Sequence, residues 1–302
     1  MENKENEEYN VVTDIENINN ALKNKEITKI VRCICKRKNI QRQEIKDSYY
    51  GTFGIDLIKE LESKLSGNVK ELILGLMNTP EDFDANELKQ SMKGIGTDEL
   101  RLSEIIATRP SLHLLQVKER YSNLYNETLD NDIIGDTSKC YQKILISTIQ
   151  GKRSDNPYPN KEKMKIIVEK LKKEENGKIP EDFLVQYFSS CSYGEICSFC
   201  RLYEKTYKEN ILDDIKESVD SDAFDYFKIF LQYISDPGMY FAEKLHNFEE
   251  KDFTRILISR SEVNMSEIRD SYKELYNTNL VDDIKEKFEG DYQLGLILLA
   301  QK

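Results

Sequence analysis

Two glycines flanking a single residue, in Met92-Lys93-Gly94-Ile95-Gly96-Thr97-Asp98-Glu99-Leu100, make a loop whose main-chain carbonyls can turn outward. A loop of that kind presents neutral oxygens to a hard cation. Forty-four residues after Met92 stands Asp136, heading Asp136-Thr137-Ser138, where a carboxylate could close the same cage. Oxygen ligands of this mix suit calcium, Ca2+. In a plainer reading, Gly94 and Gly96 merely turn the chain and Thr97 caps the next helix, with Asp98 and Glu99 favourable in its first turn. The matching Asp136 and the repeat described below favour the cage, with Thr97 and Glu99 as a minor secondary site. A dinucleotide or phosphate loop fails, because no glycine stands at position 99, no strand pattern precedes the loop and no Gly-Lys-Ser/Thr follows it.

The elements that must position these residues show themselves as a fourfold repeat. The apolar runs Ile30 to Arg37, Leu102 to Arg109, Leu184 to Cys191 and Phe253 to Arg260 set the register. Eight positions beyond their ends come Ile45, Val117, Phe199 and Ile268; further steps of four give Tyr49, Tyr121, Tyr203 and Tyr272, then Phe53, Tyr125, Tyr207 and Tyr276. Leu57, Leu129, Ile211 and Leu280 follow, each with an acid three residues on: Glu60, Asp132, Asp214 and Asp283. Apolar residues in steps of four describe one helix face, so four homologous helical units are expected. The unit spacings are 72, 82 and 69 residues, which places an insertion between units two and three. The polar, proline-bearing stretch from Gly151 to Pro159 fits a linker there, and the chain is expected to divide into halves at it. Units of this length hold about five short helices each.

Composition agrees with an ordered, all-α chain. Of 302 residues, 39% are hydrophobic and 33% charged, and only 13 Gly and 6 Pro argue against an all-β sandwich rich in tight turns. A net charge of −11, without a basic run interleaved with aromatics, opposes nucleic acid as a partner. It also opposes an anionic membrane, unless a bound divalent cation reverses the local sign. Met1 to Asn10 is acidic and polar, no signal peptide is visible, and no apolar stretch approaches the roughly 18 residues of a membrane span, so a cytoplasmic chain is expected. Cys33, Cys35, Cys140, Cys191, Cys197 and Cys200 match no common zinc spacing and read as buried thiols. His113 and His246 are far apart and offer no catalytic base.

With loop, carboxylate and repeat together, the sequence resembles the annexins from about Thr13 to its last residue. The strings that carry the resemblance are Lys93 to Thr97, Gln41-Arg42-Gln43-Glu44-Ile45, Gly135-Asp136-Thr137-Ser138 and Ser259-Arg260-Ser261-Glu262. The resemblance implies a curved disc of four helical repeats whose convex face docks on acidic phospholipid through calcium. It divides the chain into a head (1–12), repeat one (13–80), repeat two (81–152), a linker (153–163), repeat three (164–236) and repeat four (237–302). By resemblance, the carbonyls of Met92, Gly94 and Gly96 and both carboxylate oxygens of Asp136 are the metal ligands. Ile95 then enters the membrane interface from the loop tip, and Lys93 meets a phosphate. Resemblance also implies a central polar core of acids and arginines, on Asp84, Glu87, Glu104, Arg109 and Arg255, read first as salt bridges rather than an ion path. Cys191 stands where repeat three should have its arginine.

The other repeats depart from the pattern. Repeat one has Ala21-Leu22-Lys23-Asn24-Lys25-Glu26 in place of the loop and Lys64 in place of Asp136; repeat four has Asn247-Phe248-Glu249-Glu250-Lys251 and Lys287. A lysine at that position carries its own positive charge, so Lys64 and Lys287 are candidates for direct phosphate contact, against the plainer reading of ordinary surface lysines. Repeat three keeps Glu174 to Pro180 with one glycine, and Ser218 at the acid position. A single complete site therefore points to high calcium demand or self-association on the membrane. The function expected is calcium-dependent, non-enzymatic attachment to acidic phospholipid membrane, peripheral on its cytoplasmic face. The alternative is a structural protein with a cytoskeletal partner, as in the annexin-like giardins, with the acidic head as a contact. Neither a nucleophile elbow nor a histidine cluster supports an enzyme.

Overall fold

The computed structural model describes residues 9–94, 96–156, 158–171, 178–247 and 250–302. Among them the regular structure is twenty α-helices and no strand, in four quintets. The first is α1 Val11–Asn24, α2 Ile27–Lys36, α3 Asn39–Phe53, α4 Leu57–Lys64 and α5 Gly67–Met77. The second is α6 Pro80–Ser91, α7 Glu99–Thr108, α8 Ser111–Tyr125, α9 Leu129–Asp136 and α10 Lys139–Ile149. The third is α11 Lys161–Leu171, α12 Glu181–Ser190, α13 Tyr193–Tyr207, α14 Ile211–Ser218 and α15 Ser221–Ser235. The fourth is α16 Pro237–His246, α17 Glu250–Arg260, α18 Met265–Tyr276, α19 Leu280–Lys287 and α20 Gly290–Ala300. Among the described residues no helix is long and apolar enough to cross a membrane.

The sequence register becomes one recurring hydrogen bond. Tyr49, Tyr121, Tyr203 and Tyr272 lie buried on the third helix of each quintet, and each phenol donates to the acid eleven residues on: Glu60 at 2.5 Å, Asp132, Asp214 at 2.7 Å and Asp283 at 2.5 Å. Burial, reinforced by the carboxylate acceptor, pushes all four phenols up from their ordinary range. Each ring also meets the aromatic four residues later, at 4.8, 4.9, 4.8 and 5.1 Å between centroids. This pairing ties the third helix to the fourth, and so aims the fourth helix's C-terminus, where Asp136 and its counterparts sit.

The helices gather into two compact units, and the division does not fall at the linker. One unit, 84–237, holds the second and third quintets, with α7 packed on α15 and α10 on α12. The other, 1–83 with 238–302, joins the first and fourth, with α2 on α20 and α5 on α17. Buried apolar faces, rather than the polar stretch at 151–159, decide the partition. In that second unit, an added Cβ at Gly295 would collide with the Leu72 side chain while touching Val31 and Cys35, so glycine lets α20 lie close against α2 and α5. Two of the strings quoted for their resemblance meet there: the buried Arg42 guanidinium bonds Glu262 at 2.8 Å and the carbonyl of Leu76 at 2.7 Å, while Glu262 also accepts the Asn39 N–H at 2.9 Å. Burial raises the Glu262 carboxyl, but the Asn39 N–H and the Arg42 charge outweigh it and hold the group low.

The linker itself is anchored within the 84–237 unit. Cys191 takes the position that Arg37, Arg109 and Arg260 fill in the other quintets, and Arg153 supplies the missing guanidinium. Its two terminal nitrogens donate to the carbonyls of Cys191 and Phe188, each at 2.7 Å, closing the end of α12. The same group lies over the rings of Tyr193 and Phe230, at 4.9 and 4.7 Å. Arg153→Ala is expected to lower the unfolding free energy by about 2 kcal/mol in urea melts, with Arg153→Lys recovering less than half because an ammonium cannot span both carbonyls.

Candidate metal centre

The glycine-framed loop joins α6 to α7, and its base is closed by the Asp98 N–H donating to the Ser91 carbonyl at 2.7 Å. Gly94 and Gly96 have φ of 110° and 92°, in the region that only glycine enters without strain. Both are exposed, as is Lys93, while Met92 is partly so. Ile95 lies outside the described residues. Thr97 does not cap the following helix: Asp98 does, accepting the Arg101 N–H at 3.1 Å. The shorter spacing from Asp98 to the first turn wins that role, and it releases the Thr97 hydroxyl to donate to the main-chain oxygen of Asp136 at 3.3 Å. Loop and distant acid are thus neighbours. Glu99 opens α7 and accepts the Tyr141 phenol on its carbonyl at 3.0 Å.

Asp136 is the last residue of α9, where the helix's own carbonyls already concentrate negative charge. The nearby carbonyls are occupied: Gln142 donates to Ile134 and Thr137, Thr97 to Asp136, and Thr137 to Ile133. The Asp136 carboxylate, however, is exposed and makes no hydrogen bond or ion pair among the described residues. Nor does α9 carry a basic residue in its last turn, whereas α4, α14 and α19 carry Lys64, Lys216, and Lys285 with Lys287. An unpaired acid at this helix end is the wrong sign unless a cation joins it. Among the described residues no three His, Cys, Asp or Glu side chains come together, so a cation here depends on main-chain oxygens beside one carboxylate. The donors present fit a hard divalent ion. Two exposed apolar side chains stand close by in sequence, Leu100 after the loop and Ile134 two residues before Asp136, 55% and 54% exposed. Their signal was an apolar residue at a solvent-facing helix position.

The corresponding corners of the other quintets are built differently. In the first, α1 runs on to Asn24 and ends at Lys25 in the left-handed conformation, with the N–H groups of Lys25 and Glu26 both on the Ala21 carbonyl. No outward loop remains. In the third, Glu174 to Gly177 lies outside the described residues; Lys178 donates to the Glu217 carbonyl and the Ser218 hydroxyl accepts the Ile179 N–H, each at 3.2 Å. In the fourth, Phe248 and Glu249 lie outside the described residues, and Lys287 ends α19.

The residues assigned to a polar core are divided. Asp84 and Arg109 form a buried two-bond pair at 2.8 and 2.9 Å, and His113 adds a third contact to Asp84 at 2.8 Å. Burial raises the Asp84 carboxyl, yet the Arg109 charge and the His113 contact prevail and hold it well below the usual carboxylate range. Glu87 faces Arg101 at 3.7 Å, and Glu104 is buried on α7. Arg255 belongs to the other unit, where it meets Asp252 at 3.1 Å. His113 was missed because it neighbours no acid or cysteine in sequence; only the packing of α8 beside α6 brings it to Asp84.

The annexin family model matches residues 14–76, 83–148 and 239–299, within the first, second and fourth quintets. Annexin A6 of Gallus gallus is 31% identical over 285 residues, which are 90% of this chain and 42% of that protein. Annexin A11 of Oryctolagus cuniculus is 32% identical over 279 residues, 90% of this chain and 56% of that protein. The chain therefore spans about half the length of the curated relatives it matches. The solved structure of annexin III superposes with a TM-score of 0.93 at 27% identity, covering 98% of this chain and 95% of that one.

Proposed function

This chain belongs to the annexin family, whose known properties are calcium and phospholipid binding, and on that premise we propose that it attaches to anionic phospholipid membrane, reversibly and without catalysis, through calcium held at the second quintet. The observation that carries this reading is the Asp136 carboxylate, exposed and unpartnered at the end of α9, beside a loop of exposed glycines. The carbonyls of Met92, Gly94 and Gly96 and the carboxylate of Asp136 would hold the ion. When bound, calcium would supply the positive charge that lets an acidic chain approach an acidic surface.

One carboxylate and a few neutral dipoles under-neutralise a doubly charged ion, so a lipid phosphate raises its affinity, and by linkage calcium raises the affinity for lipid. Lys93 would meet a headgroup phosphate; Leu100 and Ile134 would enter the interfacial layer. With one such site, attachment demands high calcium or several copies held together on the membrane. Co-sedimentation with phosphatidylserine vesicles at increasing calcium tests the proposal. Binding should rise steeply with calcium, lose that increment on chelation and be absent on phosphatidylcholine vesicles. No binding at any calcium level would overturn it and favour a structural role with a cytoskeletal protein partner.

A further inference from the structure

The corner of the first quintet that answers to the Asp136 site is a basic cleft. Leu22, Lys25, Ile27, Ser63 and Lys64 line about 450 Å³ between the ends of α1 and α4. Lys25 and Lys64 are both exposed, and neither makes an ion pair or side-chain hydrogen bond among the described residues. The acids nearest in sequence are otherwise engaged: Glu26 with Lys29 at 2.8 Å, and Glu62 with Lys70 at 4.0 Å. Elsewhere the chain is strongly acidic, so two uncompensated ammonium groups converging on one cleft stand out.

Charge balance gives the cleft a meaning. At the second quintet, one carboxylate with one divalent cation presents a single net positive charge. Lys64, at the equivalent position, presents that charge by itself, and Lys25 adds another where the glycine loop has been replaced. A metal there would be repelled; an anion is attracted without one. We propose that the Lys25–Lys64 cleft binds a phosphate group directly, with no metal, taking the headgroup of an anionic phospholipid. The site rests on the reading that this family surface meets membrane, and it makes part of the attachment insensitive to calcium.

The test uses the full chain in chelator at low ionic strength, with two probes: phosphatidylserine vesicles and inorganic phosphate. Wild-type protein should bind the vesicles weakly but measurably, and the double variant Lys25→Gln/Lys64→Gln should bind roughly 30-fold less, as removal of two near-surface lysines implies. If inorganic phosphate also raises the melting temperature of wild type and not of the variant, the cleft is a general phosphate site; if only vesicle binding falls, it reads headgroups at a membrane. Equal vesicle binding by wild type and variant overturns the proposal, and assigns the lysines to their helix ends alone. The two readings fail separately. Asp136→Ala alters the calcium-dependent increment, while the lysine pair alters only what survives chelation.

Discussion

The Asp136→Ala variant should need at least 10- to 100-fold more calcium for half-maximal vesicle binding, a loss typical even of residues that merely support a metal ligand. Asp136 would be the only charged ligand in the set, so its removal leaves neutral dipoles to hold a doubly charged ion. The same substitution should not weaken the fold. With metal chelated, the carboxylate sits exposed at the negative end of α9 without a partner, and deleting it should raise stability by a few tenths of a kcal/mol. Opposite signs in two measurements, vesicle co-sedimentation and melting in chelator, separate a functional acid from a structural one. Asp136→Asn should fall between, since it keeps one oxygen donor and loses the charge. Undiminished calcium-dependent binding in the alanine variant would sink the site assignment.

Arg109→Met should destabilise the chain by about 3 to 5 kcal/mol in urea, the usual cost of stranding one member of a buried ion pair. Asp84 is 3% exposed and Arg109 6%, so water cannot take over the lost bonds. Asp84→Leu/Arg109→Met should recover most of the loss, because an apolar pair leaves no buried charge behind. The pH dependence follows from the depressed Asp84 carboxyl. A carboxylate held low in the folded state contributes stability that is fully present above its unfolded value, near 3.9, and is lost as pH falls toward the folded one. Wild type should therefore lose this contribution progressively below about pH 4, and the Arg109→Met variant should lose less over the same interval. A flat acid limb in both would contradict the pairing.

Much of this molecule was legible in its residues, because the repeat is written in local spacing. Tyr49, Tyr121, Tyr203 and Tyr272 kept a constant distance to an acid, and the structure turns that distance into one hydrogen bond made four times. The pairing of the glycine loop with Asp136 was legible for the same reason, being a contact within one repeat, and Thr97 bridges it. Contacts between repeats were not. Nothing near Cys191 announces that Arg153, thirty-eight residues earlier, will close its helix. Nothing near Arg42 points to Glu262. Composition alone divides the chain at its most polar stretch, yet buried faces on α2 and α20, far apart in sequence, set the partition. Short-range periodicity records which face of a helix is apolar; it does not record which other face will cover it.

The union of the first and fourth quintets makes demands on biosynthesis. Thr28 bonds Asp291 at 2.6 Å, and Lys302 reaches the Arg37 carbonyl at 2.8 Å, so this unit is stitched from opposite ends of the chain. A polypeptide leaving the ribosome would present residues 1–83 long before 238–302 could shelter them, while 84–237 emerges as one uninterrupted stretch. During that interval the faces of α2 and α5 that α20 and α17 will cover stand in water, the kind of transiently exposed apolar surface that invites association before the later segment arrives.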